Sequence, residues 1–343
     1  MKALFIGGTG TIGAAVSQKF LEAGGELFLF NRGTRNSLFS GKITEIRGDI
    51  NREEEAAEKI GNRSFDVVVD FITFTPSQIE RDYRLFNGRA AQYIAFGSAS
   101  AYQKPLENYL ITESTPLSNP YWEYARNKIA CEDLLLRLYR EQGFPITIVR
   151  PSHTYDERSV PVGVHGKNGS WQVVKRMIEE KPVIIHGDGT SLWAITHARD
   201  AAKGFVGLMG NMRALGEAVN LTSGEALTWN QIYRSIARAL GVELKAVHIA
   251  SQFLAQVGPY NFKGGLLGDK AHSAVFDPAK LARLVPDFIP SVRFEQGVRS
   301  TVDYVRARSE LQREDPQFDR WCDTVIASQA RALEEAKNIM ESS

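Results

Sequence analysis

The short apolar run Leu4-Phe5-Ile6 passes directly into Gly7-Gly8-Thr9-Gly10-Thr11-Ile12-Gly13, and a helical pattern through Ile12, Val16, Phe20 and Leu21 follows at once. A buried strand, a glycine turn and an amphipathic helix in that order open a βαβ unit. Such a start commits the chain to a parallel sheet covered by helices on its faces. Glycines at 7 and 10 permit a sharp turn and close approach to a diphosphate, and Gly13 lets helix and sheet pack tightly. The unpaired amides of Thr11, Ile12 and Gly13 at the helix start would face phosphate oxygens. The turn therefore reads as a dinucleotide site, with a purely structural turn as the alternative.

The same rhythm continues along the chain. Strands are expected over 27–30, 43–47, 67–69, 92–96 and 146–149, with helices over 52–60, 78–86 and 123–139 between them. After Arg150-Pro151 the pattern loosens: 152–168 carries Pro161, Gly163 and Gly166 and reads as a loop over a site. Helices at 171–178, 197–209 and 229–240 and strands at 183–185 and 218–221 follow, while 247–253 is ambiguous. The paired glycines of 262–267 suggest a mobile or tightly turned connection. A short helix through Leu281 and Leu284 and another through Phe294, Val298, Val302 and Val305 come next. A final one over 321–340 offers Ile326, Leu333 and Ile339 for packing.

The expected architecture is α/β: a Rossmann-like doubly wound parallel sheet with a smaller C-terminal substrate-binding lobe. Residues 1–170 supply most of the dinucleotide core, and 171–343 mix the remaining core elements with the lobe. Forty-one Lys plus Arg against 40 Asp plus Glu give a net charge of +1 without a basic block, which disfavours nucleic acid as the main partner. Cys131 and Cys322 match no metal or disulfide framework and read as free thiols of a cytoplasmic protein. The six histidines show no zinc spacing, and no apolar stretch is long enough for a membrane span.

Cofactor preference turns on the end of the second strand. Asn31 stands where a carboxylate would bind a ribose diol, and Arg32, with Arg35 behind it, suits a 2′-phosphate, so NADP is weakly favoured over NAD. Asp49 either receives the adenine amino group or caps its loop. For chemistry, Ser98 and Ser100 follow a strand, and Tyr124 and Lys128 stand four apart on one helical face. A lysine there favours phenolate, so Tyr124 can exchange a proton during hydride transfer while Ser98 binds the alcohol or developing oxyanion.

With these residues in view, the sequence resembles the extended short-chain dehydrogenase/reductase superfamily, particularly its epimerase and dehydratase branch. The matching parts are the glycine turn, Ser98, Tyr124-Ala125-Arg126-Asn127-Lys128, Arg150-Pro151-Ser152 and His197-Ala198-Arg199-Asp200-Ala201-Ala202. The resemblance implies that Ser98 and Tyr124 are catalytic, that Lys128 holds the nicotinamide ribose, and that Thr73, Pro151 and Ser152 approach the cofactor. It further implies a sugar or nucleotide-sugar substrate near His153, Trp193 and Arg199, and a homodimer. Asp156 and Glu157 read as an exposed acidic pair. The alternatives are a reductase of small carbonyls or natural products, and an RNA-binding or regulatory protein, because the Asn31-Arg32-Gly33 and Phe71-Ile72 surroundings also resemble a branch with chloroplast RNA-binding proteins.

Overall fold

The computed structural model describes residues 1–33, 39 and 43–342. Its elements are, in chain order, β1 (Lys2–Ile6), α1 (Thr11–Glu22), β2 (Glu26–Asn31), β3 (Ile43–Arg47), α2 (Glu53–Ile60), β4 (Phe65–Asp70), α3 (Pro76–Phe86), β5 (Ala90–Phe96), β6 (Leu110–Ile111) and α4 (Glu123–Gln142). They continue as β7 (Ile146–Pro151), β8 (His153–Tyr155), α5 (Trp171–Ile178), β9 (Val183–His186), β10 (Leu192–His197), α6 (Ala198–Leu208), β11 (Ala218–Leu221), β12 (Ala226–Thr228) and α7 (Trp229–Leu240). The last are β13 (Ala246–Ile249), α8 (Ser251–Leu254), a π-helix (Lys263–Lys270), β14 (Val275–Phe276), α9 (Ala279–Leu284), α10 (Phe294–Arg306) and α11 (Pro316–Glu341).

The chain divides into two units of three segments each. The first comprises Met1–Tyr155, Ala194–Glu225 and Val275–Val292; the second comprises Asp156–Trp193, Ala226–Ala274 and Arg293–Ser343. A parallel sheet in the order β11-β7-β5-β4-β1-β2-β3 runs through the first. Its strands are nearly continuous in apolar residues because both faces are covered. Ala3, Phe5, Leu27, Leu29, Val67 and Val69 pack with Val16 and Phe20 of α1 and Phe205 and Leu208 of α6. The alternating residues Leu4, Ile6, Phe28, Phe30 and Val68 pack with Ile60, Ile79, Phe86 and Leu135 of α2, α3 and α4. Strand order reverses at β1, with β2 on one side and β4 on the other, so the ends of β1 and β4 flank the crevice where doubly wound sheets bind ligands.

The second unit is held by mixed aromatic and ionic packing. Trp193 and Trp229 lie 4.4 Å apart. The Lys270 carbonyl, at the end of the π-helix, is bound by His186 Nε2, Ser191 Oγ and Trp229 Nε1 at 3.1, 2.9 and 3.2 Å. Buried Arg176 of α5 pairs with Asp319 and Asp323 of α11.

Several expectations are corrected. Residues 262–267 are no loose connection: Leu266 is buried, and its carbonyl receives the Ala271 amide at 2.9 Å in the wide turn of the π-helix. The ambiguous 247–253 stretch splits into β13 and α8. Asp156 is buried because Arg158 Nε donates to its carboxylate at 2.7 Å. Leu333 and Ile339 do not pack; they are 58% and 59% exposed on the outer turns of α11, beyond buried Phe318, Cys322 and Val325. Both cysteines are free and buried. No helix among the described residues is long and apolar enough to cross a membrane.

Candidate active site

The turn after β1 is built for close backbone approach. Gly7 and Gly8 adopt φ of +89° and +68°, the left-handed region that favours glycine. The Gly7 amide returns to the Phe30 carbonyl at 3.0 Å, and Ser17 Oγ donates to the Gly8 carbonyl at 3.0 Å, tying α1 to the turn. A Cβ on Gly13 would lie 2.8 Å from Gly8 Cα, so α1 starts against the turn itself. Among the described residues nothing lies within 4 Å of a Cβ built on Gly10, which leaves the start of α1 facing open space. A diphosphate fits that cradle.

Beside it lies a cavity of about 310 Å³ lined by Gly7, Thr9, Asn31, Arg32, Asp49, Asn51 and Ile72 among others. The glycine turn, Asn31, Arg32 and Asp49 are thus brought together, while Arg35 lies outside the described residues. Asn31 Oδ1 accepts the Gly33 amide at 2.6 Å, which turns the backbone after β2. Asp49 Oδ1 accepts the Asn51 amide at 3.0 Å and Asn51 Nδ2 at 3.1 Å.

Beneath this cavity sits a charge cluster that no local sequence signal marks. Buried Arg81 donates to Asp70 Oδ2 and Asp82 Oδ1, both at 2.8 Å, and the Tyr93 hydroxyl donates to Asp82 Oδ2 at 2.6 Å. Complete burial and the neighbouring Asp70 push the Asp82 carboxyl well above the usual carboxylate range. Asp70→Asn removes the charged partner of a buried guanidinium and should cost about 3–5 kcal/mol. Urea unfolding of Asp70→Asn checks this, and a loss below about 1 kcal/mol would refute the weight given to the buried Asp70–Arg81 pair.

The second cluster is organised by Lys128, which is only 2% exposed. Its Nζ donates to the carbonyls of Phe96, at 2.7 Å, and Thr73, joining α4 to the end of β5 and the segment after β4. Burial pulls its pKa down to about 8. The ammonium stands 5.8 Å from the Tyr124 ring and 4.9 Å from the Phe74 ring. Trp122 packs on Tyr124 at 4.9 Å, and Phe74, 45% exposed, lies 6.4 Å from it. The family resemblance places Phe74, with Thr73 and Thr75, toward the cofactor, whereas Trp122 was not among the expected site residues although it sits two positions before Tyr124. Ser98 Oγ shares a hydrogen bond with Ser100 Oγ at 2.8 Å and accepts the Ser100 amide at 3.2 Å.

The remaining expected residues are spread out. Pro151 ends β7, and buried Ser152 shares a hydrogen bond between its hydroxyl and Thr196 Oγ1 at 3.0 Å. His153 pairs in register with Ile195. Exposed Arg199 stands at the start of α6, where its amide donates to His197 Nδ1 at 3.2 Å. Trp193 belongs to the second unit, where it packs on Trp229 and under the Lys270 ammonium at 4.9 Å.

The parallel sheet with its glycine turn at the strand-order reversal, and a Tyr-x-x-x-Lys helix, define a Rossmann-type α/β protein of the extended short-chain dehydrogenase/reductase class. The chain belongs to the NAD dependent epimerase/dehydratase family, whose model matches residues 3–222. It is similar to the UDP-glucuronate 4-epimerase of Thermodesulfobacterium geofontis, 28% identical over 218 residues covering 62% of this chain and 58% of that protein. It is also similar to the chloroplast stem-loop binding protein of 41 kDa b of Arabidopsis thaliana, 24% identical over 261 residues covering 72% and 65%. The chain thus spans less than two thirds of the length of either relative. Its fold matches a crystal structure of UDP-glucuronic acid 4-epimerase from Bacillus cereus in complex with UDP-glucuronic acid and NAD. That match has a TM-score of 0.71 and 19% identity, covering 90% of this chain and 99% of that one.

Proposed function

We propose that this protein transfers a hydride between a hydroxyl-bearing carbon of a sugar or nucleotide-sugar and a nicotinamide cofactor, as an NAD(P)-dependent oxidoreductase, epimerase or dehydratase. The observation that carries the reading is the buried Lys128 ammonium beside the Tyr124 ring on the same helix, in the unit that holds the glycine cradle. A bound nicotinamide supplies the hydride acceptor. Tyr124 exchanges the hydroxyl proton, Lys128 favours its phenolate form, and Ser98 donates to the substrate oxygen as negative charge develops. The substrate class is supported by the sugar-nucleotide relatives of this family.

The test is native mass spectrometry of gently purified protein, NAD and NADP titration, and a panel of sugar nucleotides and small carbonyls with products identified. Turnover of a sugar nucleotide supports the reading. The rings of Phe74 and Trp122 beside Tyr124 favour a second reading, reduction of a small apolar carbonyl, which product from only that arm of the panel would establish. Salt-sensitive RNA binding without turnover of either class would overturn both.

Neutral Asn31 and cationic Arg32 both line the cavity at the end of β2, which weakly favours NADP over NAD. Arg32→Ser should weaken NADP binding about tenfold and leave NAD binding within twofold. Calorimetric titration reads both, and equal effects on the two cofactors would remove the 2′-phosphate role.

A further inference from the structure

The charge cluster below the cavity has a third arm that leaves the cluster. Arg81 spends Nε and Nη2 on Asp82 and Asp70, and its Nη1 reaches out to Asn51 Oδ1 at 2.8 Å. Asn51 is exposed and lines the cavity; its amide nitrogens hold Asp49 Oδ1. Asp70, the other anchor, uses Oδ1 to accept the Ile72 amide at 2.6 Å just past the end of β4. Ile72 also lines the cavity, and its Cγ2 would lie 3.0 Å from a Cβ on Gly7. One guanidinium therefore connects the two walls of the cavity, the Asp49–Asn51 turn after β3 and the Phe71–Ile72 segment against the glycine turn.

We propose that Arg81 is a positioning residue for the adenosine end of the cofactor: it fixes the distance between the two walls without itself lining the cavity. The fork geometry explains why arginine stands here. Three partners in three directions need a planar group with separate donors, and the point charge of a lysine cannot hold them together. Burying this charge brings little net stability over an apolar group of the same volume. The link to Asn51 is the part of the arrangement that reaches the cavity. The proposal rests on the reading of that cavity as the adenosine site.

The experiment is a double-mutant cycle on cofactor binding with the full-length chain, using Asn51→Ala, Arg81→Lys and the double variant. NAD(P) and ADP-ribose, which lacks nicotinamide, are the probes. Asn51→Ala leaves the buried Asp70–Arg81 pair in place, so it stays informative even if Arg81→Lys fails to fold. The expected result is about tenfold weaker binding of both probes in each single variant. The double variant should be no weaker than the worse single, because Arg81 acts through Asn51. The KM for cofactor rises while kcat at saturation holds. Unchanged affinity in Asn51→Ala, or fully additive losses in the cycle, overturns the positioning role. Failure of the unaltered chain to bind ADP-ribose overturns the adenosine-site reading and the proposal with it, a result recognisable before any variant is compared.

Discussion

Tyr124→Phe is expected to lower kcat by about 100- to 10,000-fold, the usual share of a general acid–base group, with cofactor affinity held within about threefold. The substitution removes one hydroxyl and keeps the ring. Its packing against Trp122 and its place beside the Lys128 ammonium persist, so the loss falls on proton transfer. Steady-state kinetics with the substrate found in the panel, set against a cofactor titration, separates the two effects. Undiminished turnover would remove Tyr124 from the chemistry.

The second large effect is at Gly13. A valine there brings Cβ to 2.8 Å from Gly8 Cα and 2.9 Å from Gly8 C, and these are backbone atoms with no rotamer to yield. The start of α1 must swing away, carrying with it the amides that the proposed site would turn toward a diphosphate. Dinucleotide affinity should fall at least about 100-fold, and stability by about 1–3 kcal/mol from overpacking. Calorimetry for binding and urea unfolding for stability read the two losses separately. Binding within fivefold of the unaltered chain would show that the turn is structural.

Much of the sheet was legible because its strands obey a local rule. Residues such as Val67, Val68 and Val69 are apolar in succession since each face meets a helix layer. The Tyr124–Lys128 pair was legible because helix periodicity fixes its geometry. The Arg81 cluster was not: Asp70, Arg81, Asp82 and Tyr93 come from β4, α3 and β5, and only the register of the sheet gathers them. Trp122 was passed over for a similar reason, since an aromatic residue shows its neighbours only in three dimensions. In α11 periodicity misled, because the apolar spacing that buries Phe318 and Cys322 continues to Leu333 after the packing partners end.

The interleaving of the two units bears on how the protein is made. The sheet's edge strand β11 and the covering helices α6 and α9 come from segments far downstream of Tyr155. A nascent chain that has released only its first 155 residues has β7 without its outer neighbour and one sheet face without α6. Val69, Phe96 and Val149 then lack Phe205 and Leu208. The first unit is complete only when residue 292 has left the ribosome, and until then the half-covered sheet is the species a chaperone would meet.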